Sequence, residues 1–207
     1  MRVCFAHGLW SDVNSGKVQW MRKQGWDVVA LEMRKYGWDQ AMQTQVVLDA
    51  LDEHQFDVLV GSSFGGLATA NAAAMRPELA LKLVLLAPAF GYPTLLQDSL
   101  GTQAFTTWQE TGDYTFHPPD WENPVVLPWS FVEVAQGMAW PTVHHPTAIL
   151  HGSNDDVVPL AHSQMVAAKY GNVRLSIVED DHRLQQSLEE MRELIVQLAS
   201  QDDDAVS

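Results

Sequence analysis

The stretch Val58-Leu59-Val60-Gly61-Ser62-Ser63-Phe64-Gly65-Gly66-Leu67 decides the fold of this 207-residue chain. A short apolar run, typical of a buried strand, is followed by small residues and then by a helix-like segment that continues to Arg76. In a G-x-S-x-G sequence between a strand and a helix, the central serine occupies a strained turn. Small residues two positions away on either side let the strand and helix pass closely. The stretch therefore predicts that Ser63 is a nucleophile exposed at the C-terminal edge of a parallel sheet.

On both sides of this stretch, short apolar runs alternate with amphipathic segments, as in an α/β protein whose sheet is covered on both faces. The candidate strands are residues 2–6, 27–31, 57–60, 82–86, 148–150 and 174–178. The candidate helices are residues 16–24, 39–54, 65–76, 160–170 and 184–200. Right-handed connections between parallel strands then predict a doubly wound, mainly parallel sheet.

One region, residues 92–143, interrupts this alternation because it has no long periodic segment. It contains six of the ten prolines and four of the eight tryptophans. So much aromatic surface is typical of ordered structure rather than of a disordered linker. We predict one domain over residues 1–200, with a small lid-like insertion at about 92–143 and an acidic disordered tail at 201–207.

The composition excludes several classes of protein. With 12 basic and 26 acidic residues the formal net charge is −14, which repels phosphate backbones and anionic lipids. The single cysteine cannot form an internal disulfide or a cysteine-based zinc site. No apolar run approaches the roughly 18 residues that a membrane span needs. We expect a cytoplasmic protein that binds neither nucleic acid nor membrane, with a homodimer as the candidate oligomer.

A serine hydroxyl needs a base to take its proton and an acid to orient that base, in the order Ser, Asp, His along such a fold. His182 lies on the loop after the last candidate strand, where the base belongs. Asp155 lies on the loop after the preceding strand, within the run His151-Gly152-Ser153-Asn154-Asp155-Asp156-Val157-Val158-Pro159. Asp155 is the preferred acid from its spacing to Pro159. Asp156 remains the alternative, with a helix N-terminal charge as its other role.

The tetrahedral intermediate of acyl transfer needs two N–H donors. The backbone N–H of Phe64 follows the nucleophile and supplies one. The second is expected from the turn after the first strand, His7-Gly8-Leu9-Trp10, where the Leu9 N–H is preferred and the Trp10 N–H is the alternative. His7 is interpreted as a buried hydrogen-bonding residue beneath this turn rather than a catalytic one.

Aromatic side chains are candidates for the substrate pocket. Trp10, Phe90 and Tyr92 are the predicted substrate-binding residues, with packing of the proline-rich segment onto the domain as the equally weighted alternative. Arg34 and Lys35 follow the second strand, near the same edge of the sheet. Solvated loop residues are their preferred interpretation, and contact with an acidic substrate is the other.

The chain resembles the α/β-hydrolase fold superfamily, and in size and layout the small YqiA-type esterases. The motifs that support this are His7-Gly8, Gly61-Ser62-Ser63-Phe64-Gly65-Gly66, Gly152-Ser153-Asn154-Asp155 with Val158-Pro159, and Asp181-His182-Arg183. The resemblance implies six parallel strands in the order 2-1-3-4-5-6, without the first two strands of larger hydrolases. It also implies hydrolysis of a carboxylic ester or thioester without a cofactor. The chain departs from larger members in lacking a long helical cap.

We therefore expect a serine carboxylesterase that hydrolyses short- to medium-chain esters through an acyl-enzyme at Ser63. A thioesterase or acyltransferase with the same triad is the first alternative, and a catalytically inactive ligand-binding homologue is the second. We expect no metal, because His144 and His145 are adjacent and no third ligand is suggested.

Overall fold

Parallel strands form the centre of the structure. The computed structural model describes residues 1–118 and 121–201. The strands are β1 (Arg2–Ala6), β2 (Asp27–Leu31), β3 (Val58–Ser62), β4 (Leu83–Leu86), β5 (Asp113–Phe116), β6 (Val125–Pro128), β7 (Thr147–Gly152) and β8 (Val173–Val178). The helices are α1 (Gly16–Lys23), α2 (Gln40–Glu53), α3 (Phe64–Ala74), α4 (Tyr92–Leu100), α5 (Thr102–Thr111), α6 (Ser130–Met138), α7 (Leu160–Lys169) and α8 (Leu188–Ala199).

Within these residues a six-stranded sheet has the order β2-β1-β3-β4-β7-β8, and each neighbouring pair is parallel. Because β5 and β6 pair only with each other, β7 and β8 are the fifth and sixth strands of the main sheet. The order 2-1-3-4-5-6 implied by the resemblance is therefore confirmed. The C-terminal ends of β1, β3, β7 and β8 share one edge, so the loops that follow them can converge there.

Helices cover both faces of the sheet, which explains why its central strands are apolar throughout. On one face α1 and α8 pack against residues such as Phe5 and Val84. On the other face, α2 and α3 cover the half of the sheet around Leu59, and α3 and α7 cover the half around Ile149. A parallel sheet is stable in this arrangement because its central strands are shielded from water on both faces.

The last helix begins later than its sequence pattern predicts. Periodicity places its start at residue 184, but α8 starts at Leu188. Asp180 accepts hydrogen bonds from the Gln186 N–H and the Ser187 hydroxyl, each at 2.9 Å, and Leu184 adopts a positive φ of 51°. The carboxylate thus holds these residues in a turn while the Leu184 side chain still packs in the core.

The 92–143 segment contains three short helices and the antiparallel β5–β6 hairpin rather than irregular chain. Gly101 and Gly112 stand at the ends of α5 with φ of 78° and 86°, a backbone conformation that favours glycine. These two residues keep the helices too short for a long periodic pattern. Residues 119 and 120 lie outside the described residues, as does the predicted acidic tail beyond Gln201.

The segment is anchored by its aromatic residues. Trp108 and Phe131 are almost fully buried and pack with Phe64 at the start of α3. The Trp108 indole donates a hydrogen bond to the Leu127 carbonyl at 3.0 Å. Over residues 1–118 and 121–201, no helix is both long and apolar enough to cross a bilayer.

Candidate active site

Ser63 lies in a strained turn between β3 and α3. Its φ of 55° is in the left-handed region, which is costly for a residue with a side chain. A Cβ on Gly61 would lie 2.7 Å from the Gly66 Cα, and one on Gly65 would overlap the carbonyl oxygens of Ala6 and His7. Small residues are therefore required on both sides of Ser63, for the steric reason that the motif predicts.

His182 connects Ser63 to Asp155. The His182 Nε2 lies 2.9 Å from the Ser63 Oγ, and its Nδ1 lies 2.8 Å from Asp155 Oδ2. A neutral imidazole with its proton on Nδ1 donates to the carboxylate and accepts from the serine hydroxyl. These three predicted residues, which are far apart in sequence, are thus brought together at the C-terminal edge of the sheet.

The aspartate that contacts His182 is Asp155. Its side chain is fully buried, and its Oδ1 accepts the N–H groups of Val157 and Val158 at 2.9 and 2.8 Å. Burial alone raises the pKa of this carboxyl group, but hydrogen bonds from His151 and His182 outweigh it and hold the pKa well below its usual value. The carboxylate therefore stays ionised beside the imidazole. Asp156 is exposed.

His151 was not singled out by the sequence patterns, yet it is the second imidazole beside this carboxylate. It is completely buried, and its Nε2 lies 3.2 Å from Asp155 Oδ2. The same N–H donates to the Val158 carbonyl at 2.9 Å, while the Nδ1 lies 2.7 Å from the Ser163 hydroxyl. Its position near the end of β7, four residues before Asp155, is the sequence signal that could have indicated it.

The turn after β1 lies directly beside the nucleophile. A Cβ on Gly8 would be 3.3 Å from the Ser63 Cβ, so only glycine lets the chain pass there without displacement. Within the described ranges, the N–H groups of Leu9 and Phe64 have no hydrogen-bond acceptor. The Phe64 N–H is among the first four of α3, which have no partner inside a helix. The Trp10 N–H has no acceptor among the described residues either, so the Phe64 N–H and one donor from the turn, that of Leu9 or of Trp10, are available next to Ser63.

His7 is buried beneath this turn. Its Nδ1 donates to the Gly8 carbonyl at 2.8 Å, and its Nε2 accepts from the Met33 N–H at 3.4 Å. Burial lowers the pKa of this imidazole, which favours the neutral tautomer that both bonds require. These contacts agree with its interpretation as a structural hydrogen-bonding residue.

The predicted pocket residues occupy different surroundings. Tyr92 is the first residue of α4, and its ring centroid lies 4.6 Å from that of Phe64. Trp10 packs against Trp38. Phe90 is fully buried in the core cluster to which α3 and α7 contribute, and its ring stacks on that of Trp140. Tyr92 and Trp10 both pack against the apolar cluster that contains Leu9 and Phe64, whereas Phe90 packs in the core. Substrate contact stays a prediction for all three.

Among residues 1–118 and 121–201, no group of three or more His, Cys, Asp or Glu side chains is arranged to hold a metal ion. The chemistry available to the site from these residues is that of a hydroxyl, an imidazole and a carboxylate in line. Together with two free N–H donors, this set matches the requirements of acyl transfer.

Comparison with known proteins identifies the family. The profile of the uncharacterised protein family UPF0227 matches residues 7–199, which is nearly the whole chain. The mitochondrial palmitoyl-protein thioesterase ABHD10 of Mus musculus is 28% identical over 151 residues, covering 62% of this chain and 46% of the mouse protein. The chain spans about half the length of the curated relatives it matches.

Solved structures show the same architecture. Mouse alpha/beta hydrolase domain-containing protein 10 has a TM-score of 0.75 at 23% identity, covering 95% of this chain and 87% of that one. A presumed hydrolase from Agrobacterium vitis S4 has a TM-score of 0.81 at 21% identity, with coverages of 96% and 88%. Est1E from Butyrivibrio proteoclasticus, solved with ferulic acid, has a TM-score of 0.70 at 19% identity, with coverages of 97% and 90%. These likenesses show the α/β-hydrolase fold.

Proposed function

Since this chain belongs to the uncharacterised protein family UPF0227 and has the α/β-hydrolase fold, we propose that it is a serine carboxylesterase acting on short- to medium-chain esters. The observation that carries this proposal is the continuous pair of hydrogen bonds from Ser63 through His182 to Asp155. Binding alone would require no such line of hydroxyl, imidazole and buried carboxylate.

In the first half of the reaction, Ser63 Oγ attacks the ester carbonyl carbon and its proton passes to His182 Nε2. Asp155 stabilises the imidazolium that forms, while the Leu9 and Phe64 N–H groups bind the oxyanion. When the tetrahedral intermediate collapses, the bond to the leaving alkoxide breaks and His182 returns its proton to that oxygen. The products are a free alcohol and an acyl group esterified to Ser63.

In the second half, water replaces the alcohol. His182 Nε2 takes a proton from the water, whose oxygen attacks the acyl carbon and forms a second tetrahedral intermediate at the same two donors. Collapse breaks the bond to Ser63 Oγ, which regains the proton from His182. The carboxylic acid is released and the enzyme is restored.

A thioesterase is the second candidate, and the relationship to the thioesterase ABHD10 favours it specifically. The same residues would act, with a thiolate in place of the alkoxide as leaving group. An acyltransferase would differ only in the acceptor that attacks the acyl-enzyme. An inactive ligand-binding homologue is the remaining alternative.

The test compares wild type with Ser63→Ala on p-nitrophenyl esters from acetate to palmitate, together with acyl-CoA thioesters of matched chain length. Intact-mass spectrometry of the quenched reaction measures the acyl adduct on the protein. We expect a short- or medium-chain optimum, an adduct of the acyl mass on wild type, and loss of both turnover and adduct in Ser63→Ala.

Each other outcome selects an alternative. Turnover of thioesters with esters left intact would establish the thioesterase. An adduct that is released only when a second alcohol is added would indicate an acyltransferase. Equal ligand binding by wild type and Ser63→Ala, with no adduct on either protein, would overturn the hydrolase. A ligand-binding protein would then be the remaining interpretation.

We further propose that the substrate is a small molecule and that the protein is cytoplasmic, with a homodimer as its candidate assembly. The formal charge of −14 disfavours nucleic acid as a partner. Sedimentation equilibrium measures the assembly, and a mass of one chain would remove the dimer.

A further inference from the structure

Arg34 follows β2 and reaches under the turn that contains Leu9. Its Nη1 donates to the Leu9 carbonyl at 3.2 Å and to the Ser11 carbonyl at 2.6 Å. Only 18% of its side chain is exposed, and its Nε lies 3.8 Å from a Glu32 carboxylate oxygen. The interpretation of Arg34 as a solvated loop residue is therefore wrong, while contact with an acidic substrate stays a prediction.

The turn beside Ser63 is held by its carbonyl groups. The Gly8 carbonyl accepts from the His7 Nδ1–H and from the Ser11 N–H, at 2.8 and 3.1 Å. The next carbonyl, that of Leu9, is held by Arg34. In a trans peptide unit the N–H and C=O groups point in opposite directions. Fixing the carbonyls of Gly8 and Leu9 therefore fixes the N–H groups of Leu9 and Trp10, the two candidate oxyanion donors.

Arg34 also joins this turn to the 92–143 segment. Its guanidinium carbon lies 5.3 Å from the ring centroids of both Trp38 and Trp121. Trp121 belongs to the 92–143 segment, and its ring is 6.1 Å from that of Trp10 on the turn. Cation–π attraction to two indoles stabilises the guanidinium in one place, so the bonds to the loop carbonyls keep their geometry.

We propose that Arg34 is a positioning residue of the oxyanion hole. By restraining the Leu9 carbonyl it fixes the Trp10 N–H of the same peptide unit, and by restraining the Leu9 and Ser11 carbonyls together it holds the turn that carries the Leu9 N–H. Trp38 and Trp121 hold its guanidinium in place. This role rests on the proposed acyl-transfer function of Ser63. Its positive charge, partly buried next to the turn, also favours the negative charge that develops on the substrate oxygen.

The experiment compares Arg34→Met, which removes the charge and the donors, with Arg34→Lys, which keeps a charged donor. Arg76→Met is the matched control, since Arg76 is a partly buried arginine in an ion pair with Asp52. For each variant we would measure kcat and KM on the best p-nitrophenyl ester, the melting temperature, and the rate at which a fluorophosphonate labels Ser63.

For Arg34→Met we expect kcat and the labelling rate to fall by about 10- to 100-fold with KM changed less than threefold. Loss of an entire oxyanion donor costs about 10²- to 10³-fold, and a displaced donor should cost less. Arg34→Lys should recover at least a third of the lost rate because it can still bind a carbonyl. Arg76→Met should retain wild-type rates.

Unchanged kcat and labelling in a folded Arg34→Met protein would overturn the proposal. So would a higher KM at constant kcat, which would make Arg34 a substrate contact, or equal losses in Arg76→Met. If Arg34→Met does not fold, Arg34→Gln, which also removes the charge, takes its place, and unchanged kcat and labelling in that variant would overturn the proposal. Absence of labelling in wild type would instead remove the proposed function of Ser63.

Discussion

The Asp155 carboxylate lies between two imidazoles, because its Oδ2 is 2.8 Å from His182 Nδ1 and 3.2 Å from His151 Nε2. His182 is partly exposed and faces Ser63, whereas His151 is completely buried. The two rings therefore have different roles. His182 is placed to exchange a proton with the nucleophile, and His151 fixes the carboxylate that orients it.

The first prediction concerns His151. Replacement by leucine removes one of the donors that hold Asp155, so we expect kcat to fall about tenfold, equivalent to ~1.4 kcal/mol in the barrier. KM should be nearly unchanged. His151→Gln keeps an N–H donor and should stay within threefold of wild type. Steady-state kinetics on a p-nitrophenyl ester measures both.

The matched control is His145→Leu. His145 is also buried and hydrogen-bonded, to the Ala73 carbonyl at 3.0 Å, but it does not contact Asp155. The His145→Leu substitution should lower the melting temperature without changing the kcat of the folded protein. Equal kcat losses in His145→Leu and His151→Leu would contradict a specific role for His151.

The second prediction separates the two neighbouring aspartates. Asp155→Asn should reduce kcat by up to about 10⁴-fold, the size of effect known when a triad acid is replaced by its amide. Asp156→Asn should stay within twofold, because Asp156 is exposed. Active-site titration before the assay corrects for unfolded protein. A larger loss in Asp156→Asn than in Asp155→Asn would show that the assignment of the acid is wrong.

The third prediction concerns stability at alkaline pH. Lys17 is buried, and burial lowers its pKa from 10.5 to about 8. Its ammonium donates to the Arg183 carbonyl at 2.5 Å, next to His182. Between pH 8 and 10.5 the unfolded chain holds a proton on Lys17 that the folded protein has lost. The contribution of Lys17 to the free energy of unfolding therefore rises with pH in that window. Below pH 8 both states are protonated and the folded state carries the cost of a buried charge.

We therefore expect wild type to gain unfolding free energy relative to Lys17→Met as pH rises from 7 to 10.5. The upper bound is about 3 kcal/mol for a shift of this size. Urea denaturation at several pH values measures the difference, with Lys23→Met as the exposed control. A difference that stays constant over this range would show that Lys17 titrates normally.

The fourth prediction uses two helical glycines. A Cβ on Gly65 would overlap the Ala6 and His7 carbonyl oxygens, whereas one on Gly137 would meet nothing within 4 Å. Gly65→Ala should destabilise the fold by about 3 kcal/mol or prevent folding. Gly137→Ala, on an exposed position of α6, should stabilise it by about 0.5–1 kcal/mol. Thermal unfolding of the two variants provides the comparison, and a stable, active Gly65→Ala protein would contradict the close approach.

The sequence by itself determined the sheet and the order of the site residues along the chain. Apolar runs of strand length, the glycines around Ser63 and the positions of Asp155 and His182 after successive strands are local patterns. Each reflects a local requirement, such as a buried strand or a turn that only small residues permit. The order of the six strands came from the resemblance and agrees with the structure.

Only the tertiary structure decided which side chains meet. Three such contacts produce no periodic pattern in the sequence. They are the hydrogen bond from Arg34 to the Leu9 carbonyl, the contact of His151 with Asp155, and the hydrogen bonds from residues 186 and 187 to Asp180. Each depends on where a side chain points after strands and helices have packed. Arginine, histidine and aspartate are also common in solvated loops, so residue type alone does not distinguish a buried, bonded group from an exposed one.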